Sequence, residues 1–221
     1  MRWVPYGPHA LLFYFADAVG EEALRKVRAV TADLEKHPMK GLIDFIPSFT
    51  SVLLHFDPAV VPQPQLQVLE CSARLKSAMM SKPTAPKTKS IPVHYDGPDL
   101  RRVANHAKLS VAEVIELHSR TIYKVYALGF APGFAYLGEL EPRLHTPRLA
   151  TPRTRVPAGS VGIGGEHTGI YPLDTPGGWN LIGRTPRVMF DPSRVGPSGN
   201  HRDAFLLHPG DQVQFLPQGR P

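Results

Sequence analysis

Apolar and polar positions in residues 1–80 follow two different periods. Apolar runs or alternation predict three strands, at Ala10–Phe15, Leu42–Ile46 and Ser51–Phe56. Apolar residues at helical spacing predict two helices, at Glu21–Glu35 and Gln65–Met79. In the second helix, Leu66, Leu69, Ala73 and either Leu75 or Lys76 lie near one predicted face. The order strand, helix, strand, strand, helix is typical of a small two-layer α+β domain.

Residues 81–90 differ in composition from the segments on either side. The stretch SKPTAPKTKS contains two prolines and three lysines but no large apolar side chain. Such a composition favours an exposed interdomain linker. We therefore predict a first domain over residues 1–80 and a second over residues 91–221.

The second domain begins with two predicted helices and continues with short strands. The first helix begins near Pro98–Asp99, and the second has Ser110 and Glu113 at the spacing of a capping box. Ile122–Phe130 has the pattern of a strand. Beyond it, short apolar runs alternate with Gly and Pro as far as Phe215–Leu216. This pattern predicts a mainly-β barrel or sandwich.

Composition supports the β-rich prediction and excludes several classes of site. The chain has 24 prolines and 19 glycines among 221 residues, which favours many turns. Its single cysteine, Cys71, excludes an intramolecular disulfide and a cysteine-based zinc site, and no two histidines have the spacing of a helical zinc site. No metal is therefore expected.

Charge and hydropathy bear on the partners and the location of the protein. The formal net charge of +6 raises the chance of an anionic partner. However, no basic stretch interleaved with aromatic residues is present, so no nucleic acid is expected. No apolar run is long enough to cross a bilayer, and no secretory signal pattern occurs. The expectation is a cytoplasmic protein with no membrane partner.

Gly129–Gly138 is the first of three blocks that carry candidate binding residues. Its glycines would let the backbone approach a ligand or another chain. Phe134 and Tyr136 lie two residues apart, so they would share one face of an extended segment. They are candidate pocket walls, and the alternative is that both rings fill the core.

The second block, Pro147–Gly169, lies in a stretch rich in arginine. From Pro142 to Gly165 the chain has no acidic residue but four arginines, Arg143, Arg148, Arg153 and Arg155. A guanidinium can bind a carboxylate or phosphate with two hydrogen bonds. The alternative is a solvated basic loop.

The same block contains the glycine-rich run Gly159–Gly165. It could form a tight corner whose backbone amides hold an anion, as Gly162 and Gly164 would allow. The run fits neither a phosphate-binding P-loop, nor a dinucleotide fingerprint, nor a nucleophile elbow.

The third block, Thr168–Pro186, places polar side chains around a Pro-Gly-Gly turn. Thr168, Tyr171, Asp174 and Asn180 are candidate hydrogen-bonding residues. The alternative is a hairpin tip with Trp179 as its apolar plug. Ser160, His167 and Asp174 also supply the residue types of a catalytic triad, whose geometry a sequence does not show.

Together, the three blocks resemble the family named 5-oxoprolinase B subunit, allophanate hydrolase subunit 1 or Kip-type sporulation kinase inhibitor. The matching strings are GFAPGFAYLG, TPRLATPRTRVPAGSVGIGGEHTGIYPLDTPGGWNLIGRTP and LLHPGDQVQFLP. The resemblance is strong over residues 91–217 and rests on pattern alone over residues 1–80. Three residues depart from it: Ala135 replaces a usual Pro, His94 a common Cys, and His167 a common Gln.

The resemblance implies a fold, a reaction and partners. The expected fold is an α+β N-terminal domain followed by a mainly-β cyclophilin-like barrel. The expected function is that of the B subunit of an ATP-dependent 5-oxoprolinase, which opens 5-oxo-L-proline to L-glutamate. It would act with a C-type subunit of related fold and an A-type subunit, and the isolated chain would be inactive. Because no nucleotide fingerprint is present, the ATP site is expected on a partner or across an interface.

The blocks and the resemblance together predict a substrate site. Its residues are Phe134, Tyr136, Arg153, Arg155, Gly162, Gly164, Thr168, Tyr171, Asp174 and Asn180. Arg153 is favoured over Arg155 for holding a carboxylate or phosphoryl oxygen because it lies in a Thr-Pro-Arg string, although Arg148 lies in a similar Pro-Arg step. No catalytic residue is assigned.

Two other functions stay open at this point. One is inhibition of a histidine kinase by a pure binding module, and the other is a carboxyltransferase or allophanate hydrolase-type subunit. The chain contains no biotin carboxylase or carrier region, which argues against a self-contained carboxylase.

Overall fold

The computed structural model describes residues 1–80, 86–195 and 201–219. The chain divides into two compact units, Met1–Ala85 and Pro86–Pro221. Residues 81–85 of the predicted linker lie outside the described residues. Thr88–Ser90, assigned to the same linker, instead form the first half of a strand of the second unit.

The first unit is a four-stranded antiparallel sheet with two helices. Its elements are β1 (Arg2–Pro5), β2 (Ala10–Tyr14), α1 (Glu21–Lys36), β3 (Leu42–Pro47), β4 (Ser51–Phe56) and α2 (Val68–Met79), with a short 3-10 turn at Pro64–Gln67. The strand order is β1-β2-β4-β3. Alternate residues of β2 and β4, among them Phe13 and Leu54, point into a core shared with Val27 and Val30 of α1. The sequence did not predict β1, which is only four residues long, is mostly exposed and pairs with β2 alone.

The buried face of α2 was predicted only in part. Leu66 and Leu69 are 79% and 82% exposed, whereas Cys71, Leu75 and Ala78 are buried. Small or apolar residues occur on both sides of this helix, so periodicity alone does not select one of them. Packing against α1 and the shared core decides the buried side, and Cys71 becomes a core residue.

In its described residues, the second unit contains two α-helices, a seven-stranded sheet, a two-stranded ribbon and three short 3-10 turns. Its elements are β5 (Thr88–Val93), α3 (Leu100–Ala107), α4 (Val111–Arg120), β6 (Ile122–Leu128), β7 (Ala135–Gly138), β8 (Arg153–Val156), β9 (Ser160–Gly164), β10 (His167–Ile170), β11 (Thr175–Gly177), β12 (Asn180–Arg184) and β13 (Gln212–Pro217). The large sheet has the order β12-β9-β10-β7-β6-β13-β5, and β8 pairs with β11. At the start of α4, the capping box of Ser110 and Glu113 is confirmed.

The two edge strands of the large sheet meet beyond the end of β5. His94 and Arg184 exchange two backbone hydrogen bonds of 2.9 Å each. Gly183 permits this contact, because a Cβ at that position would lie 2.5 Å from the His94 carbonyl oxygen. The sheet is therefore a nearly closed barrel, and the predicted fold class is confirmed.

Candidate functional site

Arg153 is held inside the protein by a carboxylate that the sequence did not single out. Its Nη2 donates to both oxygens of Asp99 at 2.8 Å, and Nη1 donates to the Trp179 carbonyl at 3.3 Å. Asp99 is buried and also accepts from the Leu181 amide at 2.7 Å. This pair joins the start of α3 to β8 and β12, so the guanidinium already has an internal anion.

Arg155 and Asp174 form a second pair at the surface. The Arg155 Nη2 lies 2.6 Å from the Asp174 Oδ2, and the two side chains are 78% and 45% exposed. The Asp174 Oδ1 accepts from the Ala158 amide at 2.8 Å. That hydrogen bond, followed by the one from Arg155, lowers the pKa of Asp174. The pair fixes the loop between β8 and β9 against the segment before β11.

Asn180 has every side-chain polar group occupied. Its Oδ1 accepts from Arg102 Nε at 3.0 Å, and its Nδ2 donates to the carbonyls of Pro147 at 2.9 Å and Ile163 at 3.1 Å. The residue is fully buried. Asn180 therefore connects α3, β9 and the segment before β8 rather than facing a cavity.

Thr168 ends a buried chain of hydrogen bonds. Its hydroxyl donates to the Gly162 carbonyl at 3.0 Å and lies 2.9 Å from Nε2 of His118. Because a carbonyl only accepts, Nε2 donates to Thr168, and Nδ1 accepts from the Tyr95 hydroxyl at 2.7 Å. Burial lowers the pKa of His118 to about 3, so the imidazole is neutral.

The predicted aromatic walls form a small core of their own. Phe134, Tyr171 and Trp179 are buried together, and Tyr136 packs against them. The rings meet edge to face, with the Phe134 centroid 5.3 Å from those of Tyr171 and Trp179. The alternative given by the sequence therefore holds for these rings, and Trp179 acts as the apolar plug.

The glycines of β9 provide space for that plug. A Cβ at Gly164 would lie 2.4 Å from Nε1 of Trp179, and one at Gly162 would lie 3.3 Å from its Cβ. Ser160–Gly164 is a strand between β10 and β12, so its backbone amides and carbonyls face neighbouring strands. The prediction of an exposed anion-binding corner is wrong for these residues.

The catalytic triad is not assembled. His167 pairs with Gly164, and the Tyr171 amide donates to the Ser160 carbonyl, so Ser160 and His167 lie at opposite ends of the β9–β10 hairpin. Four strand residues span about 13 Å. Asp174 is meanwhile occupied by Arg155 and Ala158.

A cleft of about 570 Å³ lies elsewhere on the second unit, and we call it the arginine–histidine cleft. Three segments line it: α3, the segment before β8, and the turn between β9 and β10. The lining residues are His106, His145, Thr146, Pro147, Arg148, Gly164, Gly165, Glu166 and His167. Of these lining residues, only Gly164 belongs to the substrate site predicted from the sequence. The Pro-Arg step at Arg148 was a sequence signal that could have placed this arginine in the site. No local sequence pattern links His106 to Arg148.

Arg148 differs from its neighbouring arginines in having no internal anion. Arg143 pairs with Glu141, Arg153 with Asp99 and Arg155 with Asp174. Within the described parts of the chain, Arg148 has no ion pair or hydrogen bond, and its guanidinium carbon lies 5.8 Å from the centroid of the Trp179 ring.

The segment that carries Arg148 is fixed on both sides. Thr146 and Gly165 exchange two backbone hydrogen bonds, of 2.9 and 3.3 Å, which join it to the β9–β10 turn. The Pro147 carbonyl is held by Asn180, which Arg102 of α3 holds in turn. His106 follows Arg102 by one helical turn, so the same contacts position both sides of the cleft.

The electrostatics of the cleft centre on His167. Burial lowers the pKa of His167; Glu166 and a backbone hydrogen bond at Leu137 oppose this change, while Arg148 and His145 add to it. The His167 Nε2 lies 3.8 Å from the Glu166 Oε1. At neutral pH the cleft thus presents one guanidinium, one carboxylate and several imidazole nitrogens.

Metal and membrane features can be assessed for residues 1–80, 86–195 and 201–219. Over these ranges, no three His, Cys, Asp or Glu residues are placed to hold a metal ion. No helix in the same ranges has the length and hydropathy needed to cross a bilayer.

A family model described as "Carboxyltransferase domain, subdomain C and D" matches residues 1–199. The 5-oxoprolinase B subunit of Bacillus subtilis is 39% identical over 222 residues, which cover 95% of this chain and 90% of that protein. The protein of the same name from Escherichia coli O157:H7 is 46% identical over 186 residues, covering 81% and 80%. The crystal structure of TTHA0988 superposes with a TM-score of 0.81 at 41% identity, covering 96% of this chain. This chain spans 40% of the length of TTHA0988.

The barrel-like unit behind a small α+β unit, together with the match over residues 1–199, defines a carboxyltransferase C and D domain protein. Within that class, the chain belongs to the 5-oxoprolinase B subunit family.

Proposed function

We propose that the chain is the B subunit of an ATP-dependent 5-oxoprolinase, which opens the lactam of 5-oxo-L-proline to L-glutamate. The observation that carries this proposal is the identity of 39% and 46% to two proteins of that name over most of their lengths. Both relatives carry the same name, which favours this function over kinase inhibition or carboxyl transfer. The proposal includes C-type and A-type partner subunits and a cytoplasmic location.

ATP belongs to the complex in this proposal, and its site lies on a partner or across an interface. The described residues of this chain do not fit a triphosphate. The arginine–histidine cleft offers one guanidinium without an internal anion, and Glu166 at its rim would repel a polyphosphate. The amides of β9 face neighbouring strands. No step through the nucleotide is therefore assigned to this chain.

The residues that the sequence favoured for binding substrate have a structural role in this proposal. The side chains of Arg153, Thr168 and Asn180 are bonded within the chain, and Phe134 and Tyr171 are packed in a core. We assign them to holding the shape of the second unit. Their direct contact with substrate stays a prediction, which alanine variants of Arg153, Arg155 and Asn180 in the assembled complex would test.

The function is tested by reconstitution. The purified chain should not turn over 5-oxoproline with ATP, whereas the mixture with A-type and C-type subunits should form glutamate and ADP in step. The control omits this chain from the mixture. Turnover by the isolated chain would refute its dependence on partners. A complete mixture that assembles but releases no glutamate would refute the proposed function.

A further inference from the structure

We propose that the arginine–histidine cleft binds the carboxylate of the substrate, with Arg148 as its anchoring cation. This inference rests on the proposed function, because that function supplies the small acid that the cleft would receive.

Three arginines close to Arg148 in sequence are already paired with carboxylates. Arg143, Arg153 and Arg155 each have a carboxylate within 3.0 Å. Arg148 has no such partner among the described residues, yet it lines a concave surface. A guanidinium binds a carboxylate with two parallel hydrogen bonds, so Arg148 has an unused binding capacity that its neighbours lack.

The backbone that carries Arg148 is already fixed before a ligand binds. The segment that carries Arg148 is joined to the β9–β10 turn through Thr146 and to β12 through the Asn180 contact with Pro147. The side chain itself is exposed, but the backbone beneath it is fixed on two sides. An anchor on a fixed backbone loses less conformational freedom on binding than one on a mobile loop.

The third argument concerns the charge of the ligand. The lining residues include one guanidinium, that of Arg148, one carboxylate, that of Glu166, and three imidazoles, and burial lowers the pKa of one of these, His167. A single carboxylate matches one guanidinium, whereas a polyphosphate would bring several negative charges to a cleft that has one guanidinium and the carboxylate of Glu166. The volume of about 570 Å³ is ample for a small cyclic acid.

The fourth argument concerns the polar part of such a ligand. His145 donates from Nε2 to the Leu140 carbonyl at 3.0 Å, which in the neutral ring leaves Nδ1 as an acceptor. Because His145 and Arg148 both line the cleft, its lining includes a cation for a carboxylate and an imidazole with an acceptor for a lactam N–H.

The test is a titration of the full chain, and of the reconstituted complex, with 5-oxo-L-proline and with 2-pyrrolidinone, the same lactam without its carboxylate. We expect 5-oxoproline to bind and 2-pyrrolidinone to bind at least about tenfold more weakly, as loss of a charged hydrogen-bonded pair implies. Arg148→Ala should weaken 5-oxoproline binding by a similar factor, and Arg148→Lys by less. Arg101→Ala, at an exposed arginine of α3, is the matched control and should change nothing.

Several outcomes would overturn the inference. One is an affinity of Arg148→Ala for 5-oxoproline equal to that of the wild type, and another is equal binding of the two lactams. The others are no binding of 5-oxoproline to the chain or the complex, and binding of ADP or inorganic phosphate at the cleft as tight as that of 5-oxoproline. If Arg148→Ala does not fold, Arg148→Gln takes its place. Its urea unfolding midpoint should equal that of the wild type, which shows that the variant is folded. A complex that forms glutamate with wild-type KM in the Arg148 variants would refute the cleft but not the proposed function. A wild-type complex that assembles but shows no turnover would refute the proposed function, whatever the titration shows.

Discussion

At the scale of single residues, the polar groups of the second unit serve two different purposes. Asp99, His118, Arg153, Thr168 and Asn180 are buried or partly buried and bonded to one another or to backbone. Arg148 lines a cleft and has no anionic partner among the described residues. Substitutions in the first group should therefore change stability, whereas substitutions at Arg148 should change binding.

His118 should make the second unit sensitive to acid. Its pKa is lowered from 6.5 to about 3 by burial, so the unfolded chain binds a proton that the folded chain does not between these two values. The free energy of unfolding should fall as the pH drops from about 6.5 towards about 3, by up to about 1.4 kcal/mol per pH unit. His118→Gln should reduce this slope by one proton.

Urea unfolding followed by Trp179 fluorescence in a Trp3→Phe background, at pH 4, 5 and 6, would measure the His118 slope. His55→Gln, at an exposed histidine of the first unit, is the control. Equal slopes in the wild type and His118→Gln would show that His118 is not the group responsible.

The two arginine–aspartate pairs should differ sharply in their contribution to stability. Arg153→Ala leaves the buried carboxylate of Asp99 without its cation, which should cost about 3 kcal/mol. Arg155→Ala breaks a pair whose guanidinium is 78% exposed, so little change is expected. Unfolding midpoints in urea would compare the two variants. A smaller loss for Arg153→Ala than for Arg155→Ala would contradict the structural role given to Asp99.

At the scale of elements, the second unit is shaped by contacts between segments far apart in sequence. Gly183 lets the end of β5 approach β12. Gly164, one of the glycines that suggested an anion site, accommodates the Trp179 ring. Asp99, at the position before α3, uses its carboxylate on Arg153 and Leu181 instead of capping the helix. Local motifs did not distinguish these roles.

Helix α2 offers a direct test of which face is buried. Leu75→Ala should destabilise the first unit by about 2–5 kcal/mol, because a fully buried side chain is removed. Leu69→Gln, on the face that the sequence favoured, should change the free energy of unfolding by no more than about 0.5 kcal/mol. Trp3 fluorescence in a Trp179→Phe background would monitor this unit. A larger loss at Leu69 would reverse the assignment.

At the scale of the whole molecule, the chain divides at Ala85 and Pro86, and the domain boundaries of the sequence analysis stay a prediction. Brief digestion with proteinase K, which has little sequence preference, should first cut within residues 81–87 and leave two resistant fragments. Cleavage after Lys89 should be slow, because it lies in β5 and its Nζ is 2.9 Å from the Asp211 Oδ2. First cuts elsewhere, with residues 81–87 intact, would contradict the boundary.

The sequence by itself determined most elements of the first unit and the family. Local periodicity predicted α1, β2, β3 and β4, and the Ser110–Glu113 capping box, because these depend on residues close together in the chain. The three long strings identified the family without any geometry, as the identities to the two relatives confirm.

Only the tertiary structure decided which of the candidate residues are available to a ligand. Arg148, Arg153 and Arg155 look alike in sequence, and the difference between them is the carboxylate that each meets among the described residues: none for Arg148, Asp99 for Arg153 and Asp174 for Arg155. Asp99 lies 54 residues from Arg153 and Asn180 lies 78 residues from Arg102. Such pairings follow from barrel closure and strand order, which no local pattern specifies, because charge neutralisation depends on distance in space and not on distance along the chain.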